Sequence, residues 1–377
     1  MSGTDAARGV LQNAVRARVF PAAVADVGNG SAPMWTEAFG TLTFDASSPA
    51  VVHDTPFDLA SLTKVIATTT MAMELVRADA LRLDERVSVF FPEWRGEDRE
   101  GVTVADLLEH TSGLPARLVD APPVGRREFE HDICTIRLEC EPRAASIYGD
   151  LGFILLGFLL ADRGRASLAS QFDAVWVRLK PDTTGDQPKL GTAGDQRDLL
   201  TSGDQPDLLT FHLDPALRRL AAPTLPLADD PRRGRRLMGE VHDNYAAALG
   251  GVAGHAGLFG TASAVGAFAR AMLGALRGDR TAAALWPPEL VSRFTARSSV
   301  AGSSRALGWD TMLPTSSCGT GMSRSAIGHA GFTGTSLWID PERDRYFVLL
   351  TNRVCGGGTL DAMRDVRRTF HDALAAL

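Results

Sequence analysis

The sequence predicts an α+β fold: an antiparallel sheet assembled from both chain ends and flanked by helices, with an all-helical domain inserted between them. Two observations predict it. Strand-like stretches collect in the first and last thirds of the 377 residues, whereas the middle carries helical spacing. A hydrophobic fraction of 45% against 22% charged residues is that of an ordinary globular chain with ample length for a large core. On this reading residues 1–60 and 300–377 form the sheet domain and residues 61–299 the helical one, with the functional cleft between them.

Taken in order, Ala6 to Arg18 places Val10, Leu11, Val15 and Val19 along one side of a helix that Pro21 ends. Ala22 to Gly28 reads as a strand, Asn29-Gly30 as a turn and Trp35 to Phe44 as a second strand. Val65 to Arg77 follows as a helix with apolar residues at Val65, Ile66, Met73, Leu75 and Val76. Val102 to Glu109 is a helix with Thr103 as its N-cap, running into His110-Thr111-Ser112-Gly113-Leu114-Pro115. That segment is turn chemistry, and His110 and Ser112 are read as serving backbone groups rather than as a second nucleophile pair. An apolar helix, Leu151 to Leu160, is approached through Tyr148-Gly149-Asp150, where a side chain can point into a cleft. Thr261 opens a helix to about Leu276. Two strands around a turn at 340–344 and a helix over Leu360 to Leu377 close the chain.

Between the helices, residues 185–211 hold a repeat of period nine: Gly185-Asp186-Gln187, Gly194-Asp195-Gln196 and Gly203-Asp204-Gln205. It offers little to bury and reads as an inserted, flexible loop. It lacks the paired glycines and alternating apolar residue of a calcium-binding nonapeptide roll.

Composition excludes several functions. A net charge of −6 and a pI near 5.8 argue against nucleic acid or an anionic membrane as partner, and the Arg232, Arg233, Arg235, Arg236 cluster reads as a solvated loop. The longest apolar run, Leu151 to Ala161, is too short to span a bilayer. Met1 to Phe20 has no apolar core of a secretory signal, so a cytoplasmic location is expected, or a periplasmic one if an export signal precedes this start. Cys134, Cys140, Cys318 and Cys355 show no metal-ligand spacing and are read as free thiols. His242, Asp243 and His255 match no standard metal pattern and are read as hydrogen-bonded cleft residues. No metal or organic cofactor is expected, and the sequence leaves the oligomeric state open.

The chemistry centres on Ser61 and Lys64 in Asp58-Leu59-Ala60-Ser61-Leu62-Thr63-Lys64. Residues three apart on a helix share a face, so the amine can take the hydroxyl proton as the oxygen attacks a carbonyl. Of 39 Lys+Arg only three are lysines, Lys64, Lys180 and Lys189. Where this chain wants charge alone it writes arginine, which does not release its proton. A lysine in an apolar helix therefore fits a role that requires a neutral amine.

With Ser61-x-x-Lys64, Tyr148-x-Asp150 and His329-x-Gly331 in this order, the chain resembles the serine β-lactamase and penicillin-binding-protein superfamily. It is most similar to the class C β-lactamase-like branch, which includes D-alanyl-D-alanine carboxypeptidases and esterases. The resemblance implies the β-lactamase/transpeptidase-like fold and these roles. Ser61 is the acylated nucleophile, Lys64 accepts or relays its proton, and Tyr148 is the partner acid/base. The strand holding His329 and Gly331 lines the cleft, and the N–H groups of Ser61 and Phe332 hold the oxyanion.

Two departures narrow the substrate. His329 stands where many relatives have a carboxylate-binding lysine, and Asp150 stands where Asn is commoner. A carboxylate beside Lys64 raises the lysine's pKa and shifts proton transfer toward Tyr148, unless Asp150 points elsewhere. The expectation is a serine hydrolase acting on a small-molecule ester, amide or peptide through an acyl-enzyme, with an esterase or small-peptide/amide hydrolase favoured over a high-turnover β-lactamase. The competing expectation is a weakly catalytic or non-catalytic penicillin-binding-like sensor or scaffold.

Overall fold

The computed structural model describes residues 2–119, 122–179, 208–375 and 377; the nine-residue repeat lies outside the described residues. Helix α1 (Gly3–Arg16) starts earlier than its apolar periodicity suggests, because Ser2 and Asp5 form a reciprocal capping box. Strands β1 (Ala22–Gly28) and β2 (Pro33–Gly40) pair as a hairpin from Ala22↔Gly40 to Gly28↔Pro33. β2 ends at Gly40 rather than at Phe44. Gly40 turns left-handed at φ +85°, and the Thr41 N–H folds back onto the Pro21 carbonyl.

The short β3 (Phe57–Asp58) leads to a π-helical stretch over Lys64–Thr69, which continues as α2 (Thr70–Arg77). Helices α3 (Val104–Leu108), α4 (Arg126–Thr135), α5 (Leu151–Gly164) and α6 (Leu168–Leu179) follow. Next come β4 (Leu209–Thr210), α7 (Pro215–Arg218), α8 (Asn244–Ala248), β5 (Phe259–Gly260) and α9 (Ala262–Arg277). α10 (Arg280–Leu285) and α11 (Pro288–Thr295) precede β6 (Asp310–Thr311), β7 (Ile327–Ala330), β8 (Ser336–Asp340), β9 (Arg345–Thr351) and α12 (Leu360–Leu374).

The main sheet runs β2-β1-β9-β8-β7-β6, and every pairing is antiparallel. β1 from one end of the chain pairs directly with β9 from the other, Ala23↔Thr351 through Gly28↔Tyr346. Alternation along the strands splits their side chains between two cores. Ala23, Ala25, Phe347, Leu349 and Trp338 pack beneath α1 and α12 with Leu11, Phe370 and Leu374. Ala22, Val24, Val348, Leu350 and Leu337 join the larger core, which continues through α9 into the helical part. Both faces are covered, so β1 is apolar on both sides except for Asp26, whose carboxylate accepts from the Tyr346 hydroxyl at 2.6 Å. α5 is apolar nearly all round because α2, α3, α4 and α6 enclose it. Each fully buried leucine there contributes roughly 1.5–3 kcal/mol.

Of the stretch expected to be a flexible insertion, the described residues 208–211 are built into the fold. Leu209 and Thr210 pair with Gly260 and Phe259 in a small sheet, β3-β5-β4, and Phe211 packs edge-on against Phe172. All four cysteines are free thiols. Among the described residues, no helix is long and apolar enough to cross a membrane.

Candidate active site

The chain reaches Ser61 through a forced turn. Asp58 accepts the Ala60 N–H at 2.8 Å on one carboxylate oxygen and the His242 N–H at 2.6 Å on the other. These bonds hold Ala60 at φ +47°, a left-handed conformation that a β-carbon disfavours. Burial pushes the Asp58 carboxyl up to about 6, even though both N–H donors pull the other way.

Lys64 is fully buried, and its Nζ donates to Ser61 Oγ at 3.1 Å, to Asp150 Oδ1 at 2.8 Å and to the His255 carbonyl at 3.3 Å. Burial pulls the lysine's pKa down, but the charges of Asp150 and Tyr148 outweigh it and leave it raised. This corrects the neutral amine expected from the apolar helix and selects the other case the sequence had raised: Asp150 points at Lys64 and favours its ammonium form.

Asp150 sits immediately before α5 and shares its charge. Its second oxygen accepts from Arg117 Nη1 at 2.7 Å. Arg117 also reaches Asp243 at 3.1 Å and Asn244 at 2.7 Å, and its guanidinium lies 4.0 Å from the centre of the Tyr245 ring. Asp243 in turn meets His255 Nε2 at 2.7 Å and the Ala246 N–H at 2.8 Å. Burial drives both carboxyls up. For Asp150 the charges of Lys64, His255 and Arg117 win; for Asp243 those of His255 and Arg117 do, so both sit below the ordinary carboxylate range. Ligand atoms of Asp150, Asp243 and His255 lie within 4.8 Å of one another, as a metal site requires. Their carboxylates are already engaged by Lys64 and Arg117, so the cluster is neutralised from within, in line with the hydrogen-bonded reading of Asp243 and His255.

Tyr148 is 37% exposed, and its ring is framed on several sides. The ring centroid lies 5.1 Å from Lys64 Nζ, 4.4 Å from the Arg305 guanidinium, 4.9 Å from the His110 ring and 5.5 Å from the His329 ring. His110 adopts φ +58°, accepts the Gly149 N–H at 3.3 Å on Nδ1 and stacks on Phe153. It serves backbone, as the elbow reading had it, and it is also the shelf on which Tyr148 rests.

His329 does not line the cavity, contrary to its expected place against the substrate. It is 2% exposed beneath Tyr148, with Nδ1 3.0 Å from the Ala330 carbonyl and Nε2 3.4 Å from Arg305 Nη1. An Nδ1–H donated to that carbonyl leaves Nε2 to accept from the guanidinium. Burial, then the positive charges of Arg305 and Lys64, hold its pKa well below the usual histidine range, so the ring is neutral.

Residues 331–335 form a turn bolted to the nucleophile segment. Thr333 Oγ1 donates to the Asp58 carbonyl at 2.8 Å and Thr335 Oγ1 to the Leu59 carbonyl at 3.0 Å. Only glycine fits at 331, where a β-carbon would come 2.1 Å from Thr335 Oγ1 and 2.7 Å from the Leu59 oxygen. Among the described residues the N–H groups of Ser61 and Phe332 have no protein acceptor, which leaves both available to an oxyanion. The cavity they border, about 400 Å³, is lined by Ser61, Tyr148, Asp150, Arg117, Phe332 and Arg367, among others.

Sequence reasoning thus placed Ser61, Lys64, Tyr148, Asp150, Gly331 and Phe332 in one site, which the geometry brings together. It missed Arg117, Arg305 and Arg367. Arginine is this chain's ordinary cation, so no local pattern distinguishes these three from the rest.

Comparison with known proteins adds the following. A family model described as Beta-lactamase matches residues 7–369. An N-acetylmuramyl-L-alanine amidase of Bacillus subtilis (strain 168) is 29% identical over 326 residues, covering 79% of this chain and 68% of that protein. A provisionally named D-alanyl-D-alanine carboxypeptidase of Escherichia coli (strain K12) is 29% identical over 322 residues, covering 79% and 69%. Among solved structures, EstCE1, a hydrolase with promiscuous acyltransferase activity, superposes with a TM-score of 0.72 at 18% identity, over 99% of this chain and 98% of its own. A class C beta lactamase from Rhodobacter sphaeroides gives 0.71 at 18% identity, over 99% of each chain. At such identities the two structures establish the fold.

Proposed function

The chain belongs to the Beta-lactamase family, and on that premise we propose that it is a serine hydrolase that cleaves an ester or amide through an acyl-enzyme on Ser61. The observation that carries this reading is the 3.1 Å bond from Lys64 Nζ to Ser61 Oγ beside the Tyr148 ring, on the edge of an open cavity.

Lys64, held as an ammonium by Asp150, orients the Ser61 oxygen and favours its negative charge rather than taking its proton. The proton passes to the Tyr148 oxygen, with Lys64 and Arg305 placing positive charge against the ring from two sides. Ser61 Oγ bonds to the substrate carbonyl carbon, and the carbonyl oxygen becomes an oxyanion between the Ser61 and Phe332 N–H groups. Collapse breaks the bond to the leaving group, which takes the proton from Tyr148. Water then gives a proton to Tyr148 and attacks the ester on Ser61, and collapse of the second oxyanion returns the proton to Ser61.

The neutral, buried His329 supports an ester or simple amide substrate over one recognised by a lysine at that position. The test is hydrolysis of a chromogenic short-chain ester by wild type, Ser61→Ala and Tyr148→Phe, with mass spectrometry of the intact protein for the acyl adduct. Ser61→Ala abolishes both turnover and adduct. Tyr148→Phe costs about 10²–10⁴ in kcat. A folded wild type that neither turns over nor acquires an adduct with esters, D-Ala-D-Ala peptides or a chromogenic cephalosporin refutes the reading in favour of a binding module.

A further inference from the structure

Two arginines are buried beside the cavity with no carboxylate to neutralise them among the described residues. Arg367 on α12 is 7% exposed and Arg353, just past β9, 8% exposed. Neither Nε has a partner, and both guanidiniums bind main-chain carbonyls instead. Burial, and then the charge of Arg353, pull the Arg367 pKa down to about 9. Burying a lone cation is costly, so its target matters.

Arg367 Nη2 donates to the Gly331 carbonyl at 2.7 Å and to the Thr335 carbonyl at 2.8 Å. The Gly331 carbonyl and the Phe332 N–H belong to the same peptide group. A cation on the oxygen of an amide draws electron density from its nitrogen, and so strengthens the N–H as a donor. Arg353 makes a useful contrast. Its Nη2 meets the Phe332 carbonyl at 2.6 Å, which belongs to the next peptide, whose N–H is that of Thr333.

We propose that Arg367 is a positioning residue of the oxyanion hole, which acts through the Gly331–Phe332 peptide to hold and polarise the Phe332 N–H toward the developing oxyanion. This rests on the acyl-enzyme reading above. It assigns a catalytic reason to an arginine that touches neither the nucleophile nor the acid/base. Stabilisation of this kind is absent from the ground-state carbonyl complex and grows as charge develops, so it belongs in kcat rather than in KM.

The test uses the full chain, a neutral short-chain ester and a boronic acid that adds to Ser61 as a tetrahedral anion. Arg367→Met is expected to lower kcat about tenfold, short of the 10²–10³ lost when an oxyanion donor is removed outright. KM stays within about twofold, and boronate affinity falls by the same factor as kcat. Arg367→Lys, which keeps a cation near the Gly331 oxygen, recovers part of the loss, and Arg353→Met loses less than Arg367→Met. If Arg367→Met does not fold, as judged by circular dichroism, Arg367→Gln, which keeps an N–H donor without the charge, takes its place, and an unchanged kcat in that variant overturns the proposal. So does an unchanged kcat in Arg367→Met, equal losses in both methionine variants, or a loss confined to KM for anionic esters, which would make Arg367 a substrate contact. A wild type without Ser61-dependent turnover takes down the hydrolase reading itself, and with it this one.

Discussion

Replacing Asp150 with Asn removes one charge from the centre of the site at nearly constant volume. The Lys64–Asp150 contact of 2.8 Å is worth about 6 kcal/mol between unit charges at an effective dielectric of about 20. Much of that does not transfer to the variant, because Asp150 also neutralises Arg117, and an asparagine oxygen still accepts from Lys64. If only about a quarter is lost, the equilibrium for removing a proton from the site around Lys64 shifts about tenfold. Asp150 favours positive charge there, so without it the active, deprotonated form of the site is reached at lower pH. The acidic limb of kcat/KM therefore moves to lower pH, and on that limb the variant is about tenfold faster than wild type. The plateau falls modestly, since the ammonium that orients Ser61 is less firmly held. The assay is ester hydrolysis from pH 4.5 to 9, with thermal melts to show that the variant is folded over that range. An acidic limb that stays in place or moves upward refutes the coupling of Asp150 to the reaction.

Other predictions follow from the same geometry. Gly331→Ala drives a methyl into Thr335 Oγ1 and the Leu59 oxygen, so it displaces the Phe332 N–H and costs about 1–3 kcal/mol of stability; kcat drops more than stability alone explains, and wild-type kcat in this variant contradicts that placement. Asp58→Ala frees the Ala60 and His242 N–H groups and releases the left-handed turn before Ser61; it lowers the rate of acyl-enzyme formation by stopped-flow, and an unaltered rate shows that the turn holds itself. His242 and His371 are buried and kept neutral down to about 4, while in the unfolded chain they titrate near 6.5. The unfolded state thus binds more protons as pH falls from about 6.5 to 4, and stability declines through that window by up to about 3 kcal/mol for each. Tm measured across it should fall, and less steeply for His371→Gln, which has no proton to gain. A Tm profile of the same slope in that variant counts against His371 as a contributor.

The local grammar of the chain was legible because it is set by near neighbours. Thr103 reads as an N-cap and Thr261 as a helix start, and both cap their helices. β1 and β9 read as strands from their runs of apolar residues, and α5 as a helix from its length. Boundaries slipped where a contact distant in sequence decided them, as at Gly40, where the Thr41 N–H turns back to Pro21. The π-helical stretch behind Ser61 left no sequence signal, since it differs from an α-helix only in which carbonyl each N–H selects.

The sequence by itself determined the chemistry on offer: a serine and a lysine one turn apart, a tyrosine ahead of an apolar helix, and a glycine where a strand must pass close to the nucleophile. Only the tertiary structure decided the charge states. Whether Lys64 rests as an amine or an ammonium depends on Asp150, 86 residues away in the chain, and on Arg117, which shares that carboxylate. His329 is buried beneath Tyr148, and burial, with the charges of Arg305 and Lys64, opposes its proton. Electrostatic energy falls with distance through a medium whose polarity is set by packing, and neither distance nor packing is written in the order of residues.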